Sequence, residues 1–275
     1  MEKRFDRRNA RPNDRKRQDA KKGNPERTPA MPPEGLVIGR NAVRELLAGG
    51  RDIEKLYIRS GEREGSINLL LGEAAARRIP VIEVDKARMD MMSGGGAHQG
   101  IIAIAAEKNY STVEEILEYA ASLGEPPFIV LCDGVEDPHN LGAIIRSAEC
   151  SGAHGVIIPK RRAVGLTSVV SKSSAGALEH MRIAKVTNLA VTMDELKEKG
   201  LWFYAADMGG ESYEKTDLHG AVGLVLGSEG DGISRLVKEK CDFTVSIPMY
   251  GRVNSLNVSA AAAVLLSEIA RQKRR

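Results

Sequence analysis

The strongest constraint on the fold is an alternation of apolar runs with helical patterns that begins at residue 128. The run "FIVLCDGV" (128–135) is nearly all apolar, which is typical of a strand buried on both faces of a parallel sheet. Apolar residues then recur with the spacing of one helix face, and "GVIIP" (155–159) supplies the next strand. Because this βαβ pattern continues to the C-terminus, we predict an α/β fold with a mostly parallel sheet and helices on both faces.

Later elements of this part of the chain follow the same reasoning. We predict a single helix over "LTSVVSKSSAGALEH" (166–180), a strand over "LWFYAAD" (201–207) and a last helix from about Ser259. In open sheets of this kind, ligands bind beyond the carboxyl ends of the strands. The loops that follow those ends are therefore where we expect the functional residues.

A smaller α/β module precedes this sheet. Strand and helix patterns alternate from "GLVIGRNAVRELLAGG" (35–50) to the strand "GIIAIAAE" (100–107), and none of them is a catalytic motif. We expect His98, beside a Gly-rich turn, to be structural or merely exposed. The whole chain is accordingly divided into four parts, which are a tail (1–34), a small domain (35–107), a linker with one helix (108–126) and a larger domain (127–275).

The tail differs from the rest of the chain in its charge. Residues 1–34 hold 11 Lys or Arg and 6 Asp or Glu, although the whole chain has a formal net charge of only +3. With one aromatic residue and few aliphatic ones, the tail buries too little apolar surface to fold alone, so we predict that it is disordered. Basic arms of this kind bind nucleic acid through phosphate contacts. A tail that only increases solubility explains the charge equally well.

Composition argues against several classes of protein. The chain is 42% hydrophobic and 28% charged, as soluble globular proteins are. No apolar run approaches the roughly 18 residues of a membrane helix, and the charged N-terminus is unlike a signal peptide, so we expect a cytosolic protein without membrane contact. Three separated cysteines with no Cys-x-x-Cys pair argue against disulfides and zinc, and we expect small buried side chains at Cys132, Cys150 and Cys241.

Three loops concentrate the polar residues. They are "DGVEDPHN" (133–140), "GSEGDG" (227–232) and "IPMYGRVNSLN" (247–257), and each follows a predicted strand and leads to a helix N-terminus. The second loop lacks both the G-x-G-x-x-G spacing of dinucleotide-binding proteins and the Lys of a P-loop. The chain also lacks H-E-x-x-H, G-x-S-x-G and any metal-ligand spacing. Dehydrogenase, NTPase, hydrolase and metalloenzyme functions are therefore disfavoured.

The three loops resemble the motifs of the SpoU family of RNA ribose 2′-O-methyltransferases, TrmH-like proteins of the knotted SPOUT class. The matching segments are "NLGAIIRSAECSGAHGVII" (140–158), "LVLGSEGDGIS" (224–234) and "IPMYGRVNSLNVSAAAAVLL" (247–266). Residues 36–106 are similar to the L30e-like substrate-binding domain that precedes the catalytic domain in the 23S rRNA guanosine 2′-O-methyltransferases of this family. The resemblance covers everything except the tail.

The resemblance implies a trefoil knot near residues 200–258 that holds S-adenosylmethionine in a bent form. It places backbone around Gly227, Ile247 and Leu256 against the adenosyl part of the cofactor. A glycine suits such a position, because a Cβ would prevent close approach of the backbone to a ligand. No metal is implied.

The resemblance also assigns the residues around the target hydroxyl. Arg146 would lie next to the hydroxyl and its phosphate, and the other residues of the set are Asn140, Glu229, Ser255 and Asn257. In the family Arg146 is proposed as the general base, but a guanidinium in proteins is essentially always protonated. A phosphate clamp that orients and acidifies the hydroxyl is physically easier.

Each of these residues also has a purely structural interpretation. Arg146 lies on the side of its helix away from the apolar stripe, where a solvated charge is the ordinary finding. Asn140 would then be the N-cap of that helix, Asn257 or Ser259 would cap the last helix, and Glu229 would cap or form an ion pair. The small side chains of "SAAAAVLL" (259–266) permit close packing, which in the family includes a homodimer interface beside the active site. The alternative is an internal core helix.

Three functions therefore remain open. The first is a 23S rRNA guanosine 2′-O-methyltransferase in which the small domain and the tail bind RNA. The second is a methyltransferase of the same chemistry that acts on tRNA or on another rRNA nucleotide. The third is a non-catalytic RNA-binding or ribosome-assembly protein, which a test of S-adenosylmethionine binding would separate from the other two.

Overall fold

Two β-sheets with their helices make up the described residues, which are 35–49, 51–61, 65–106 and 108–274 of the computed structural model. The strands are β1 Leu36–Ile38, β2 Ile53–Arg59, β3 Val81–Val84, β4 Ile101–Ala105, β5 Phe128–Cys132, β6 Gly155–Pro159, β7 Arg182–Val186, β8 Trp202–Ser212, β9 Val222–Leu226 and β10 Phe243–Ser246. The helices are α1 Arg40–Ala48, α2 Ser66–Ala76, α3 Lys86–Met92, α4 Val113–Ser122, α5 Pro138–Cys150, α6 Ser168–Ser173, α7 Ala177–His180, α8 Leu189–Glu198, α9 Arg235–Glu239 and α10 Val258–Lys273.

The larger sheet confirms the predicted parallel α/β architecture. Its strand order is β10-β8-β9-β5-β6-β7, and every neighbouring pair is parallel. β5 lies inside the sheet between β9 and β6, and all five of its residues are buried, as the continuous apolar run predicts. Because the strands are parallel, the loops after β5, β9 and β10 emerge at the same edge.

Helices cover both faces of this sheet. On one face Val130 and Val156 pack with the apolar sides of α5 and α10, and both α5 Ile144 and α10 Leu266 are fully buried. On the other face Ile129 and Ile157 pack with α4 and α8. The alternation of side chains along a buried strand sends successive residues to opposite faces, so the inner strands β5 and β6 contribute to both cores.

The smaller sheet has the order β1-β4-β2-β3, with antiparallel pairs except for the parallel pair of β2 with β3. Helices α1 and α2 cover one face, and α3 covers the other, where Met89 is fully buried beside Leu36 and Ile102. Helix α3 was not among the elements predicted from the sequence. Its start signal is Asp85, whose Oδ1 accepts a hydrogen bond from the backbone N–H of Arg88 at 2.7 Å.

One predicted helix is in fact two. The expected helix over 166–180 breaks between α6 and α7, where Ala175 and Gly176 both have positive φ, at 52° and 101°. A side chain on Gly176 would meet Glu45 of α1, since a Cβ there would lie 2.3 Å from Glu45 Cγ. The break therefore lets α1 of the small sheet approach α7 closely.

Polar contacts join the two sheets at this point. Arg51 Nη1 lies 2.9 Å from Glu179 Oε1 on α7, and the two side chains are 14% and 3% exposed. Lys108 Nζ donates to the backbone carbonyl of Glu179 at 3.2 Å, and burial lowers the pKa of Lys108. His180 Nε2 lies 2.9 Å from Glu45 Oε2. These contacts hold the small sheet against α7.

The cysteines and His98 differ in how well they match their expected environments. Cys132 is buried, but Cys150 is exposed near the end of α5, so the expectation of three buried thiols was wrong for Cys150. His98 is buried and structural, because its Nδ1 accepts from Gly100 N at 3.0 Å and its Nε2 lies 3.1 Å from Asp90 Oδ1. The tail lies outside the described residues, and the trefoil knot stays a prediction. Within the described ranges, no helix is long and apolar enough to span a membrane.

Candidate active site

The three motif loops meet at the carboxyl edge of the larger sheet. The backbone N–H of Asp133 donates to the carbonyl of Leu226 at 2.8 Å, and Asp133 Oδ2 accepts from the N–H of Ser234 at 2.7 Å. Asp133 thus ties the loop after β5 to both ends of the loop after β9. The sequence analysis did not single it out, because one Asp after a strand is a weak signal.

Asn257 joins all three loops through one side chain. Its Nδ2 donates to Asn140 Oδ1 at 3.0 Å and also to Glu229 Oε1. Its Oδ1 accepts from the backbone N–H of Ser259 at 2.9 Å, which caps α10. The capping and bridging roles are therefore present together, and α10 begins at Val258, one residue before the expected start.

Asn140 is not the N-cap of α5, contrary to the structural interpretation of that residue. The cap is Asp137, whose Oδ1 accepts from the N–H of His139 at 2.7 Å, and Pro138 occupies the first helical position. Asn140 is the third residue of the helix, in its first turn, and is only 6% exposed. Its amide is therefore free of capping and contacts Asn257 instead.

A first cavity of about 430 Å³ lies between β8, β9, β10 and the start of α10. This volume is within the range of small-molecule sites. It is lined by all three residues expected to surround a cofactor and by three of the residues expected around the target hydroxyl, namely Gly227, Ile247, Leu256, Glu229, Ser255 and Asn257. Leu226, Val245 and Leu265 supply an apolar inner wall, while Ser255 and Asn257 are exposed at its polar side.

The structure shows a reason for the glycine at position 227 in addition to the expected approach of a cofactor, which stays a prediction. A Cβ on Gly227 would lie 2.2 Å from the carbonyl carbon of Gly232 and 2.4 Å from the nitrogen of Ile233. The loop closes on itself there, since Ser228 N donates to Gly232 O at 3.0 Å and Gly232 N donates to Ser228 O at 3.2 Å. Gly227 therefore makes room for its own loop, which in turn forms one wall of the cavity.

A second wall of this cavity comes from an irregularity in β8. β10 pairs with Ala205 through Thr244 and with Glu211 through Val245, so residues 206–210 leave the ladder. A Cβ on Gly210 would lie 2.3 Å from Thr244 O, and Gly209 has a φ of 83°. Asp207 and Met208 of this segment line the cavity. The predicted strand ends at 207 and does not include this wall, for which Gly209 and Gly210 were the available signal.

A second cavity of about 370 Å³ adjoins the first and shares Ser228, Glu229, Gly230 and Val258 with it. Its other wall is the loop 134–137 with Asn140, and Arg162 stands at its side. The Asn257 bridge between Glu229 and Asn140 lies where the two cavities meet. Groups bound in the two cavities would approach each other at this bridge.

Of the eight candidate site residues, Arg146 is the one that lies away from the two cavities. It is exposed on α5 and lines neither cavity. Six residues separate it from Asn140, a rise of about 9 Å along a helix. Within one copy of the chain, its guanidinium stands apart from the Asn257 bridge.

The thiol at the end of β5 is not a reactive group. Burial raises the pKa of the Cys132 thiol to about 12, so this side chain at the end of β5 stays protonated at neutral pH. No group of three His, Cys, Asp or Glu in the described residues could hold a metal ion.

Comparison with known families agrees with this geometry. The profile of the SpoU rRNA Methylase family matches residues 127–267, which hold the larger sheet and both cavities. The profile described as RNA 2′-O ribose methyltransferase substrate binding matches residues 36–111. The chain therefore belongs to the SpoU rRNA methylase family.

Individual relatives extend over nearly the whole chain. The YacO protein of Bacillus subtilis (strain 168), assigned to the TrmH family of tRNA/rRNA methyltransferases, is 44% identical over 238 residues, which are 86% of this chain and 95% of YacO. A protein of Staphylococcus haemolyticus (strain JCSC1435) with the same assignment is 42% identical and covers 86% of this chain and 96% of its own length.

Solved structures share the fold. The SpoU methyltransferase AviRb from Streptomyces viridochromogenes, crystallised in complex with AdoMet, superposes with a TM-score of 0.72 at 26% identity and covers 86% of this chain and 89% of AviRb. A crystal structure of an RNA 2′-O ribose methyltransferase has a TM-score of 0.71 at 27% identity, over 86% of this chain and 88% of its own.

Proposed function

We propose that this protein transfers the methyl group of S-adenosylmethionine to a ribose 2′-hydroxyl in RNA, and that the target is a guanosine of 23S rRNA. The observation that carries the proposal is the pair of adjoining cavities joined at the Asn257 bridge. One cavity would hold the cofactor and the other the target nucleotide. Transfer between two bound groups requires such an arrangement, because the reacting atoms must be held in contact and in line.

The residues of the first cavity fit the cofactor. Its apolar wall of Leu226, Val245 and Leu265 suits an adenine ring, and its polar side suits the charged amino-acid part. AviRb, whose structure contains AdoMet, has the same fold. When bound, S-adenosylmethionine supplies an electrophilic methyl group on a sulfonium.

The chain's own residues would position the hydroxyl. Glu229 and Asn140, both at the second cavity and both held by Asn257, offer oxygen acceptors for a ribose hydroxyl proton. Ser255 lies on the cofactor side of the bridge. Arg146 would bind the neighbouring phosphate as a clamp, because its guanidinium stays protonated. The clamp would lower the cost of charge that develops on the hydroxyl oxygen.

A homodimer would bring Arg146 to this site. The helix α10 packs one face on the larger sheet but leaves Ala260, Ala263 and Ser267 on the other face solvent-accessible in a single chain. Beside it, the loop after β10 exposes large apolar side chains, with Tyr250 93% and Val253 72% exposed. A second copy of the chain packed over these residues would bury them, and its own α5 would supply Arg146.

Parts of the chain outside the catalytic domain would bind the RNA. We infer that 35–107 acts as a substrate-binding domain, that 108–126 links it to the catalytic domain 127–275, and that the tail 1–34 adds phosphate contacts. The description of the profile that matches residues 36–111 supports the first assignment. The cytosolic location follows from the expected RNA substrate. A tRNA target is the alternative, since the names of the relatives include both tRNA and rRNA.

The decisive experiment is transfer of labelled methyl from S-adenosylmethionine to unmodified 23S rRNA and to tRNA, followed by alkaline digestion. A 2′-O-methyl group blocks cleavage at its own nucleotide, so we expect label in an alkali-resistant dinucleotide from 23S rRNA that begins with guanosine. Label from tRNA alone would keep the chemistry and reject the substrate. If neither RNA is labelled and calorimetry detects no cofactor binding, the chain is a non-catalytic RNA-binding protein.

A further inference from the structure

The second cavity contains a cation that neither the sequence motifs nor the proposed chemistry uses. Arg162 lies in the loop after β6, at the same edge of the sheet as the motif loops, and its side chain is exposed. A Cβ on Gly134 would lie 4.0 Å from Arg162 Nη2, so the guanidinium stands beside the loop that leads to Asn140. Of the described residues that line this cavity, Arg162 is the one cationic side chain.

We propose that Arg162 binds a phosphate of the RNA strand beside the methylated ribose and thereby holds the target nucleotide in the second cavity. The inference rests on the proposed function, to which it adds an RNA-contacting residue. Arginine suits this role, because its planar guanidinium donates two parallel hydrogen bonds to one phosphate.

The other charged side chains around the second cavity are acidic, so a phosphate requires a cation in order to bind there. Four carboxylates line it, on Glu136, Asp137, Glu229 and Asp231. A phosphate that approached this edge would be repelled by all of them. Arg162 supplies the opposite charge at the cavity itself, where the attraction acts at short range and is less screened than on an open surface.

The guanidinium is not engaged by those carboxylates. Arg162 forms no hydrogen bond or ion pair with any other described residue. Asp137 caps α5 and Glu229 accepts from Asn257, so both already have partners of their own. The donors of Arg162 are therefore available to a ligand.

The loop holds the backbone of Arg162 in a defined place. Arg162 has a φ of 57°, in the left-handed region that a residue with a side chain rarely adopts. Backbone contacts on both sides maintain it, since Lys160 N donates to Val186 O at 2.8 Å and Val164 N donates to Val135 O at 3.3 Å. A little further along, Leu166 N donates to the Tyr110 hydroxyl at 3.2 Å. Such a loop loses little freedom when it binds an anion.

A cofactor carboxylate is the competing ligand for Arg162. The position of the side chain argues against it, because Arg162 lines the second cavity and not the first, which has the apolar wall and the expected cofactor residues. Lys160 and Arg161 are also exposed in the same loop and add positive charge next to Arg162, which suits a strand of successive phosphates.

The test compares Arg162→Gln with Lys199→Gln in the full chain. The control variant removes the same charge at an exposed residue after α8, at the opposite edge of the sheet. Methyl transfer to 23S rRNA is measured for both, with cofactor affinity by calorimetry and binding of a short fluorescein-labelled single-stranded RNA at several salt concentrations. For Arg162→Gln we expect a KM for RNA about tenfold higher, kcat within about twofold and unchanged cofactor affinity.

Salt dependence identifies the phosphate contact. The slope of log Kd against log salt concentration should fall in magnitude by about one for Arg162→Gln relative to Lys199→Gln. Equal KM values and slopes in the two variants would overturn the inference, as would weaker cofactor binding or a loss confined to kcat. If the wild-type chain neither binds cofactor nor methylates RNA but the slope still falls, the proposed function fails and the phosphate contact stands.

Discussion

At the scale of single residues, Asn257 combines a structural role with a functional one, and substitution can separate them. Asn257→Ser keeps a capping oxygen for α10 but loses the Nδ2 donor that holds Asn140 and Glu229. We expect methyl transfer to fall about 100-fold, because both acceptors lose their common anchor. Asn257→Ala should lose as much activity and in addition about 1 kcal/mol of unfolding free energy.

Denaturant unfolding and kcat of the two variants check this separation. If Asn257 has both roles, the two variants must lose equal activity, and only Asn257→Ala must also lose unfolding free energy. A serine variant with wild-type kcat would show that Asn257 is only a cap.

Gly227 provides a second test at this scale. Gly227→Ala would force the closed loop 228–232 to move, since a Cβ would lie 2.2 Å from the backbone of Gly232. We expect a loss of about 1–3 kcal/mol in unfolding free energy and at least a tenfold loss in cofactor affinity, because that loop is a wall of the first cavity. Gly72→Ala is the control, as a Cβ there meets nothing within 4 Å and the residue is exposed on α2, away from both cavities. Equal calorimetric affinities in the two variants would contradict the account.

Of the eight candidate positions predicted from the sequence motifs, seven gather at the two cavities. Position 146 was predicted as well, but motif membership carries no information on whether a residue acts in its own chain or in a second copy. Arg162 was missed because a basic side chain in a polar loop is ordinarily solvated. Only its placement beside Gly134 and the four carboxylates distinguishes it.

At the scale of elements, the entry into β6 contains a buried histidine that should make stability depend on pH. His154 has a side chain 1% exposed, its Nδ1 accepts from Phe128 N at 2.9 Å, and its Nε2 lies 3.2 Å from Glu125 Oε2. Burial and the nearby Lys273 lower the pKa of His154, although Glu125 acts in the opposite direction. In the unfolded chain this histidine titrates near its ordinary pKa of about 6.5.

The sign of the dependence follows from these two states. Below about pH 6.5 the unfolded chain binds a proton that the folded chain accepts less readily, so stability is complete above that pH and falls below it. One proton limits the fall to about 1.4 kcal/mol per pH unit. Urea unfolding between pH 7.5 and 5 should show a steeper decline for the wild type than for His154→Gln. Parallel declines would mean that other groups carry the dependence.

The elements themselves were predictable where apolar periodicity is strong, as in β5 and α5. The features that were not predicted share a physical cause. In each of them the backbone departs from a regular repeat at particular residues. Ala175 takes a left-handed φ that its residue type does not signal, and this divides the expected helix into α6 and α7. Residues 206–210 leave the β8 ladder because Gly210 permits contact with Thr244, an interaction between distant parts of the chain.

At the scale of the whole molecule, the separation of Arg146 from the other site residues is the feature that one chain does not explain. If a two-fold dimer supplies Arg146 from the second copy, two inactive variants should complement each other. We predict that Arg146→Ala and Asn257→Ser, mixed in equal amounts under conditions of subunit exchange, recover about one quarter of wild-type activity. Half of the dimers are then mixed, and each of these has one complete site.

A second mixture, of wild-type chain with a double variant, gives a test that does not depend on folding defects in the single variants. Wild-type chain mixed with the Arg146→Ala, Asn257→Ser double variant should give about one quarter of the activity of the all-wild-type protein, because neither site of a mixed dimer has both residues. If Arg146 serves its own chain, the single variants should remain inactive together and the second mixture should retain about one half. A monomer by light scattering would reject the dimer outright. The two mixtures therefore decide whether the site belongs to one chain or is shared between two.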